Sequence, residues 1–306
     1  MNAATQDVPI YARPSVRIVL VLAAILGLIL GIETSILHLT TDPLADVRAY
    51  YDAGARLNAG LPLYVPVAHS EVPGAYYYPP LLAIVFRPLA LLPYELAAAI
   101  WAAVIVGATV ATFWRLGVRR SVLIVAGLLA LPIAWTVTIG QAQALITLLL
   151  AIGAPWAVAL AANIKLFPGL VAVYWVGRRE WRRLATFAAW MGGLVALQLV
   201  LEPKATLAYL DFVRAQQGGG INSLSLYDVS PVLWAISVVV LGLVALRLAP
   251  TRWGWAAAVV LSVFAAPRLL SYQLSTLLAA LGGPDVVRTS TPSTDRRRTG
   301  PNATDQ

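Results

Sequence analysis

Apolar runs recur from about residue 18 to residue 281, several of them close to the ~20 residues that cross a bilayer. A chain like this has few choices. Backbone polar groups in hydrocarbon must be satisfied within the segment, so the runs are helices or the strands of a closed barrel. A barrel would show alternating segments of about ten residues, and the runs here are continuous. Charged residues make up 12% of the chain, against about 25% in a soluble domain. The expectation is an all-α polytopic integral membrane protein.

The net charge of +8 comes almost entirely from arginine, since Lys165 and Lys204 are the two lysines. The arginines cluster at run ends: Arg13 and Arg17, Arg115 to Arg120, Arg178 to Arg183, Arg247 and Arg252. That distribution follows membrane topology, with basic ends on the cytoplasmic side, and argues against a nucleic-acid partner. The chain has no cysteine and two histidines, His38 and His69, so thiolate chemistry is excluded and no metal ligand set is predicted. No phosphate-binding glycine loop appears.

Arg13 and Arg17 place residues 1–16 in the cytoplasm, and the run from Ile18 to Leu37 is the first span. Residues 39–77 then form a first extracytoplasmic loop. Pro79 to Pro93 is short for a span and carries Arg87, so it reads as a short or re-entrant helix. Spans are predicted near 95–114, 121–138, 184–201 and 231–249. The stretch from Gly140 to Val176 reads as two short or broken helices, and 253–281 as a broken apolar region. Residues 203–230 form a second extracytoplasmic loop. The membrane domain covers 17–281, and 282–306 is a polar tail of disordered composition.

Asp42 before Pro43 matches a helix start, with Asp42 as N-cap and the helix running to about Leu57. At 100° per residue, Arg48, Asp52 and Arg56 share a solvated face. Asp46 falls on the opposite side with Tyr50, Ala53 and Leu57. Two readings of Asp46 stand: a general base in an aromatic setting, or an acid stabilising the first helical turn. Gln141 and Gln143 lie at an outside span end, Lys165 inside an apolar run, and Arg268 at a proline break. Charges at membrane depth default to function, with snorkelling or structural pairing as the alternative.

Several strings taken in order resemble glycosyltransferase family 87. They are DVRAYYDAG from Asp46 to Gly54, GLPLY from Gly60 to Tyr64, YYPP from Tyr77 to Pro80, and FRPLALLP from Phe86 to Pro93. GQAQ from Gly140 to Gln143, IKLFP from Ile164 to Pro168 and RREWR from Arg178 to Arg182 follow. The resemblance implies a GT-C-like bundle of roughly eight to ten membrane helices, some short or re-entrant. It implies transfer of a hexose, mannose in characterised members, from a polyprenyl-phosphate donor to a lipid or glycan acceptor outside the bacterial cytoplasmic membrane, without a cofactor. Asp46 matches the family's acid and becomes the expected base of an inverting reaction. Lys165 and Arg268 are the expected cations for the leaving phosphate, with Gln141 and Gln143 as hydrogen-bond donors. Tyr50, Tyr51, Tyr64, Tyr78 and Tyr272 complete the substrate-binding candidates. Two alternatives remain at this point: a lipid-linked sugar transporter using Glu33, Lys165 and Arg268 along a path, and a truncated, non-catalytic family member.

Overall fold

The computed structural model describes residues 14–64, 76–215 and 223–284. The N-terminal segment with Arg13, the middle of the first polar loop with His69, residues 216–222 and the chain after 284 lie outside the described residues. Every regular element among them is helical. In chain order these are α1 (Pro14–Thr41), α2 (Ala45–Asn58), α3 (Pro80–Leu89), α4 (Tyr94–Leu116), α5 (Arg120–Leu128), α6 (Ala130–Thr138), α7 (Gln143–Ile152), α8 (Pro155–Ile164), α9 (Val173–Gly177), α10 (Trp181–Leu201), α11 (Pro203–Ala215), α12 (Pro231–Leu248) and α13 (Gly254–Phe264). Short 3-10 segments occupy Phe167–Ala172, Leu226–Asp228 and Ser271–Leu281.

The protein is a multi-pass membrane protein. α1, α4, α10 and α12 are long and apolar enough to span, and α5 with α6 supplies a fifth span if the pair counts as one. The predicted straight span at 121–138 is instead this pair, bent by 68°. α1 exposes nearly all its apolar side chains, as a lipid-facing helix does. Its buried residues, Gly27 and Gly31, lie against Gly127 and Ala130. Between helices in lipid, close packing of small residues replaces hydrophobic burial as the attractive force.

Shorter apolar helices sit inside this frame. α7 is buried along most of its length and packs against α4 and the 271–281 segment. The predicted pair of short helices in 140–176 is resolved into α7, α8, the 3-10 turn and α9; Gly153 and Lys165 mark two of the breaks. The first residues of the expected polar tail are docked on the end of α7, where the Gly283 amide donates to Ala151 O at 3.2 Å; the rest of it lies outside the described residues.

α2 is the element that carries Asp46, and its start corrects the sequence reading. Leu44, in left-handed conformation at φ 56°, is the N-cap, and no side chain caps the helix. The Asp42 carboxylate turns back to α1, where it accepts from His38 Nδ1 at 2.8 Å and Thr41 Oγ1 at 2.7 Å. Tertiary contacts replace the missing cap. The Leu44 and Asp46 amides donate to Thr138 O and Ile139 O at 2.9 and 3.1 Å, while the Ala45 and Val47 amides donate locally to Asp42 O and Leu44 O, so α6 and its exit share in satisfying the orphan donors of the helix start.

The other face of α2 lies on α3. A Cβ on Gly54 would sit 2.7 Å from the Phe86 carbonyl carbon and oxygen. Gly54→Ala is therefore expected to push α3 off α2 and destabilise the protein by about 1–3 kcal/mol, read as a lower thermal midpoint in detergent. Arg87, costly in a short apolar helix, is paired with Glu202 at 2.6 Å and donates to Asn58 Oδ1 at 3.0 Å. As predicted, Arg48 and Asp52 pair on the exposed face of α2, while Val47, Tyr50, Ala53 and Leu57 are buried.

Candidate functional site

The site forms where the exit of α6 meets α2. Gly140, at φ 69°, turns the chain between α6 and α7. Its carbonyl accepts from Trp101 Nε1 at 2.8 Å, which holds the turn against α4. The turn drives the next residue, Gln141, into the protein, where it is 1% exposed.

Gln141 organises what surrounds it. Its Oε1 accepts from the hydroxyls of Tyr50 and Tyr78 (2.8 Å for Tyr78), and its Nε2 donates to Asp46 Oδ2. A flipped amide would aim its oxygen at a carboxylate oxygen, so the network itself dictates the orientation. The Ala142 amide donates to the Tyr50 hydroxyl at 3.3 Å. Tyr50 also packs edge-on to Tyr78 and Trp101. The result is a carboxylate held at one oxygen with a rigid aromatic shell behind it.

Burial raises the Asp46 carboxyl to about 6. The positive charge of Lys165 opposes this, Asp42 adds to it, and Arg268 and His38 draw it down again. Burial also pushes the Tyr50 and Tyr78 hydroxyls well above the ordinary phenol range, with the Asp46 charge adding to both. Those hydroxyls stay protonated and act as donors. Gln141→Leu would leave both without their acceptor, at about 1–3 kcal/mol for each buried group. A fall in thermal midpoint together with a loss of activity is the expected outcome.

The cations lie on the α7 and α8 side. Lys165 follows the last residue of α8, and Nζ donates to Gln143 Oε1 at 3.3 Å. It stands 5.8 Å from the Tyr78 ring centroid and 5.4 Å from that of Tyr272, within cation–π range. Gln143 Nε2 in turn donates to Thr276 Oγ1. The Arg268 guanidinium lies over the Tyr77 ring at 5.3 Å. A carboxylate and two cations from three separate chain segments therefore converge around Tyr78 and Tyr272.

Eight of the sequence-derived candidates belong to this cluster: Asp46, Tyr50, Tyr78, Gln141, Gln143, Lys165, Arg268 and Tyr272. Two do not. The Tyr51 hydroxyl donates to Leu92 O at 2.8 Å and its ring meets Tyr94 edge-on; being one residue after Tyr50, it points about 100° away around the helix. Tyr64 donates to Tyr78 O at 2.8 Å and stacks on Phe212 of α11, which holds the loop rather than facing the carboxylate. Gln141 sits in the turn that follows α6, and Gln143 opens the buried helix α7. Glu33 is exposed on α1. Sequence reasoning overlooked His38, Tyr77 and Thr276. His38 and Asp42 are spaced i, i+4, which was the available signal for their pairing. Among the described residues no group of three or more His, Asp or Glu side chains could hold a metal ion.

Comparison with known proteins adds the lineage. The model of glycosyltransferase family 87 matches residues 76–283, more than half of the 306-residue chain. A protein of Mycolicibacterium smegmatis (strain ATCC 700084 / mc(2)155), polyprenol-phosphate-mannose-dependent alpha-(1-2)-phosphatidylinositol pentamannoside mannosyltransferase, is 33% identical over 164 residues. That similarity covers 47% of this chain and 40% of the relative, so the chain spans well under half of the relative's length. No solved structure matches. The family match holds Tyr78, Gln141, Gln143, Lys165, Arg268 and Tyr272, and it begins after Asp46, which the fold brings to Gln141. By the extent of that match, the chain belongs to glycosyltransferase family 87.

Proposed function

We propose that the chain transfers mannose from a polyprenyl-phosphate donor to a lipid or glycan acceptor, at a site on the extracytoplasmic face of the bacterial cytoplasmic membrane. Family membership supports sugar transfer of the GT-C type, and the M. smegmatis relative is named for a polyprenol-phosphate-mannose donor. The observation that carries the chemistry is the Asp46–Gln141 pair standing opposite Lys165. The Lys165 charge acts on Asp46, so a proton acceptor and a cation serve one site, as a displacement at a sugar carbon requires.

In this reading the acceptor hydroxyl loses its proton to Asp46 as its oxygen attacks C1. The bond from C1 to the phosphate oxygen breaks on the opposite side, and configuration inverts. The electron pair goes to the phosphate, a good leaving group, so one carboxylate suffices where glycosidases need two. Lys165 and Arg268 face the charge that grows there. Gln141, Gln143 and the tyrosine hydroxyls fix the carboxylate, the cation and the sugar between them. The arginine-rich ends Arg17, Arg115–Arg120 and Arg178–Arg183 lie on the cytoplasmic side, which leaves α2 and the site outside.

A base must be ionised to work. With the Asp46 carboxyl at about 6 and burial pulling the Lys165 ammonium down to about 7, kcat/KM is expected to rise with pH through about 6 and to fall again above about 7 as Lys165 loses its proton. An activity profile that is flat between pH 5 and pH 8 would remove Asp46 as the base. The direct test supplies radiolabelled polyprenyl-phosphate mannose and extracted lipid acceptors to membranes that carry the chain. Labelled product formed only when the chain is present establishes the activity. Donor binding without any transfer, across the acceptor extracts, would support the non-catalytic alternative.

A further inference from the structure

Lys165 is an ammonium with few oxygens around it. An ammonium carries three N–H donors. Among the described residues one oxygen meets it, Gln143 Oε1 at 3.3 Å, and the cation otherwise lies by the rings of Tyr78 and Tyr272. Gln143 is itself held in place, because its Nε2 donates to Thr276 Oγ1. A charge so sparsely paired among apolar helices marks a ligand path rather than a structural ion pair. The path starts below the outer end of the spans. Trp101, which holds the Gly140 turn into α7, stands seven residues into α4 from Tyr94, a rise of ~10 Å. An anion reaching Lys165 at that depth travels most easily on a lipid.

Lys165 also lines a cavity to which Asp46, Tyr50, Tyr78 and Gln141 do not contribute. α7, the end of α8 and the 271–281 segment give it polar groups, among them Gln143, Lys165 and Thr276. The 3-10 turn 167–172 and the α13 side give it Phe167, Val263 and Ala266. Ser262, also on α13, spends its hydroxyl on Val259 O at 2.8 Å. The apolar part adjoins surface that faces lipid. Leu166 and Phe264, chain neighbours of Lys165 and Val263, are 48% and 40% exposed. Phe167 packs on the same small core of Ala245, Leu261 and Ala265 as Val238 and Leu241 of α12, a span that buries almost none of its length. The cavity is thus charged at one end and apolar toward the bilayer.

We propose that the seam between the 167–172 turn and α13 admits the isoprenoid chain of the donor from the bilayer, with the phosphate on Lys165 and the first isoprene units on Phe167, Val263 and Ala266. The inference deepens the reading above and rests on the donor being a polyprenyl-phosphate sugar. The chain stays in the apolar layer throughout, so its entry exposes no hydrocarbon to water. The sugar then lies beyond the phosphate, on the side of Lys165 whose charge acts on Asp46. A donor without an apolar chain has nothing to place on Phe167, Val263 and Ala266.

The test begins with the full-length wild type in lipid vesicles and needs no turnover. A polyprenyl phosphate carrying a diazirine on its second isoprene unit should, on irradiation, label residues 166–170 and 262–266, and excess unlabelled polyprenyl phosphate should remove that label. Competed label confined to other helices overturns the seam. Wild type, Val263→Trp and Ala266→Leu are then assayed with polyprenyl-phosphate mannose and with a soluble two-isoprene analogue. The ratio of kcat/KM for the long donor over the short one is expected to fall about tenfold or more in Val263→Trp, since a single methylene in an apolar pocket already changes selectivity that much. Ala266→Leu should show a smaller fall. An unchanged ratio in both variants, with wild-type thermal midpoints, overturns the seam. Competed label at the seam without sugar transfer from either donor would uphold the seam and refute the transfer reading; transfer with competed label elsewhere would refute the seam alone.

Discussion

Asp46→Asn is expected to lower sugar transfer by about 10³-fold or more while the protein stays folded and binds donor. A positioned general base contributes typically 10² to 10⁴ in rate, and no second carboxylate stands beside it in the Gln141 network to take over. The substitution is nearly isosteric. The asparagine carbonyl oxygen can still accept from Gln141 Nε2, so the Tyr50 and Tyr78 hydroxyls keep their partner. The folding cost should be small, because the carboxylate is held there against burial and a neutral amide avoids that penalty. Transfer measured beside donor binding and thermal midpoint separates the outcomes. Loss of transfer with the other two unchanged supports the base, and residual turnover near wild type refutes it.

Lys165→Met is the second large effect, expected at about 10² to 10³ in kcat, the range for removing one preorganised group that faces developing charge. Methionine keeps most of the stem volume and removes the ammonium. The lost partners are the Gln143 oxygen at 3.3 Å and the faces of Tyr78 and Tyr272. Removing a cation opposite Asp46 also has a defined sign on the base. Lys165 opposes the burial that raises the Asp46 carboxyl, so without it the carboxyl titrates higher and the rising limb of the pH profile moves to higher pH. A variant with lower kcat and an unmoved pH limb would separate Lys165 from the electrostatics of Asp46. Arg268→Met, farther along the same side over Tyr77, is expected to lower kcat without that shift being dominant.

Helix existence was legible in the sequence because it follows from a local quantity. Length and apolar content set where α1, α4, α10 and α12 form, since an unsatisfied backbone in hydrocarbon is too costly to allow anything else. The placement of Asp46 on the Tyr50 side of α2 was legible through helical periodicity. Boundaries at α2 were not. Asp42 has the chemistry of a cap, yet pairing with His38 and Thr41 competes for its carboxylate, and carbonyls of Thr138 and Ile139 serve the first turn instead. No local rule decides that competition. Tyr51 and Tyr64 failed as site candidates because proximity in sequence to Asp46 says nothing about which way a ring points.

By itself the sequence determined the membrane class, the helical content, the basic span ends and the residue types available for chemistry, all of which depend on composition and short-range periodicity. Only the tertiary structure decided that Gln141 would join Asp46 to two tyrosines across 63 to 95 residues of chain. It also decided that Lys165 would face the rings of Tyr78 and Tyr272, and that His38 would stack on Trp135 of α6. These are long-range pairings set by how small residues let helices approach and by which buried polar groups find partners. Their free energies compete globally, and a one-dimensional pattern carries no record of the outcome.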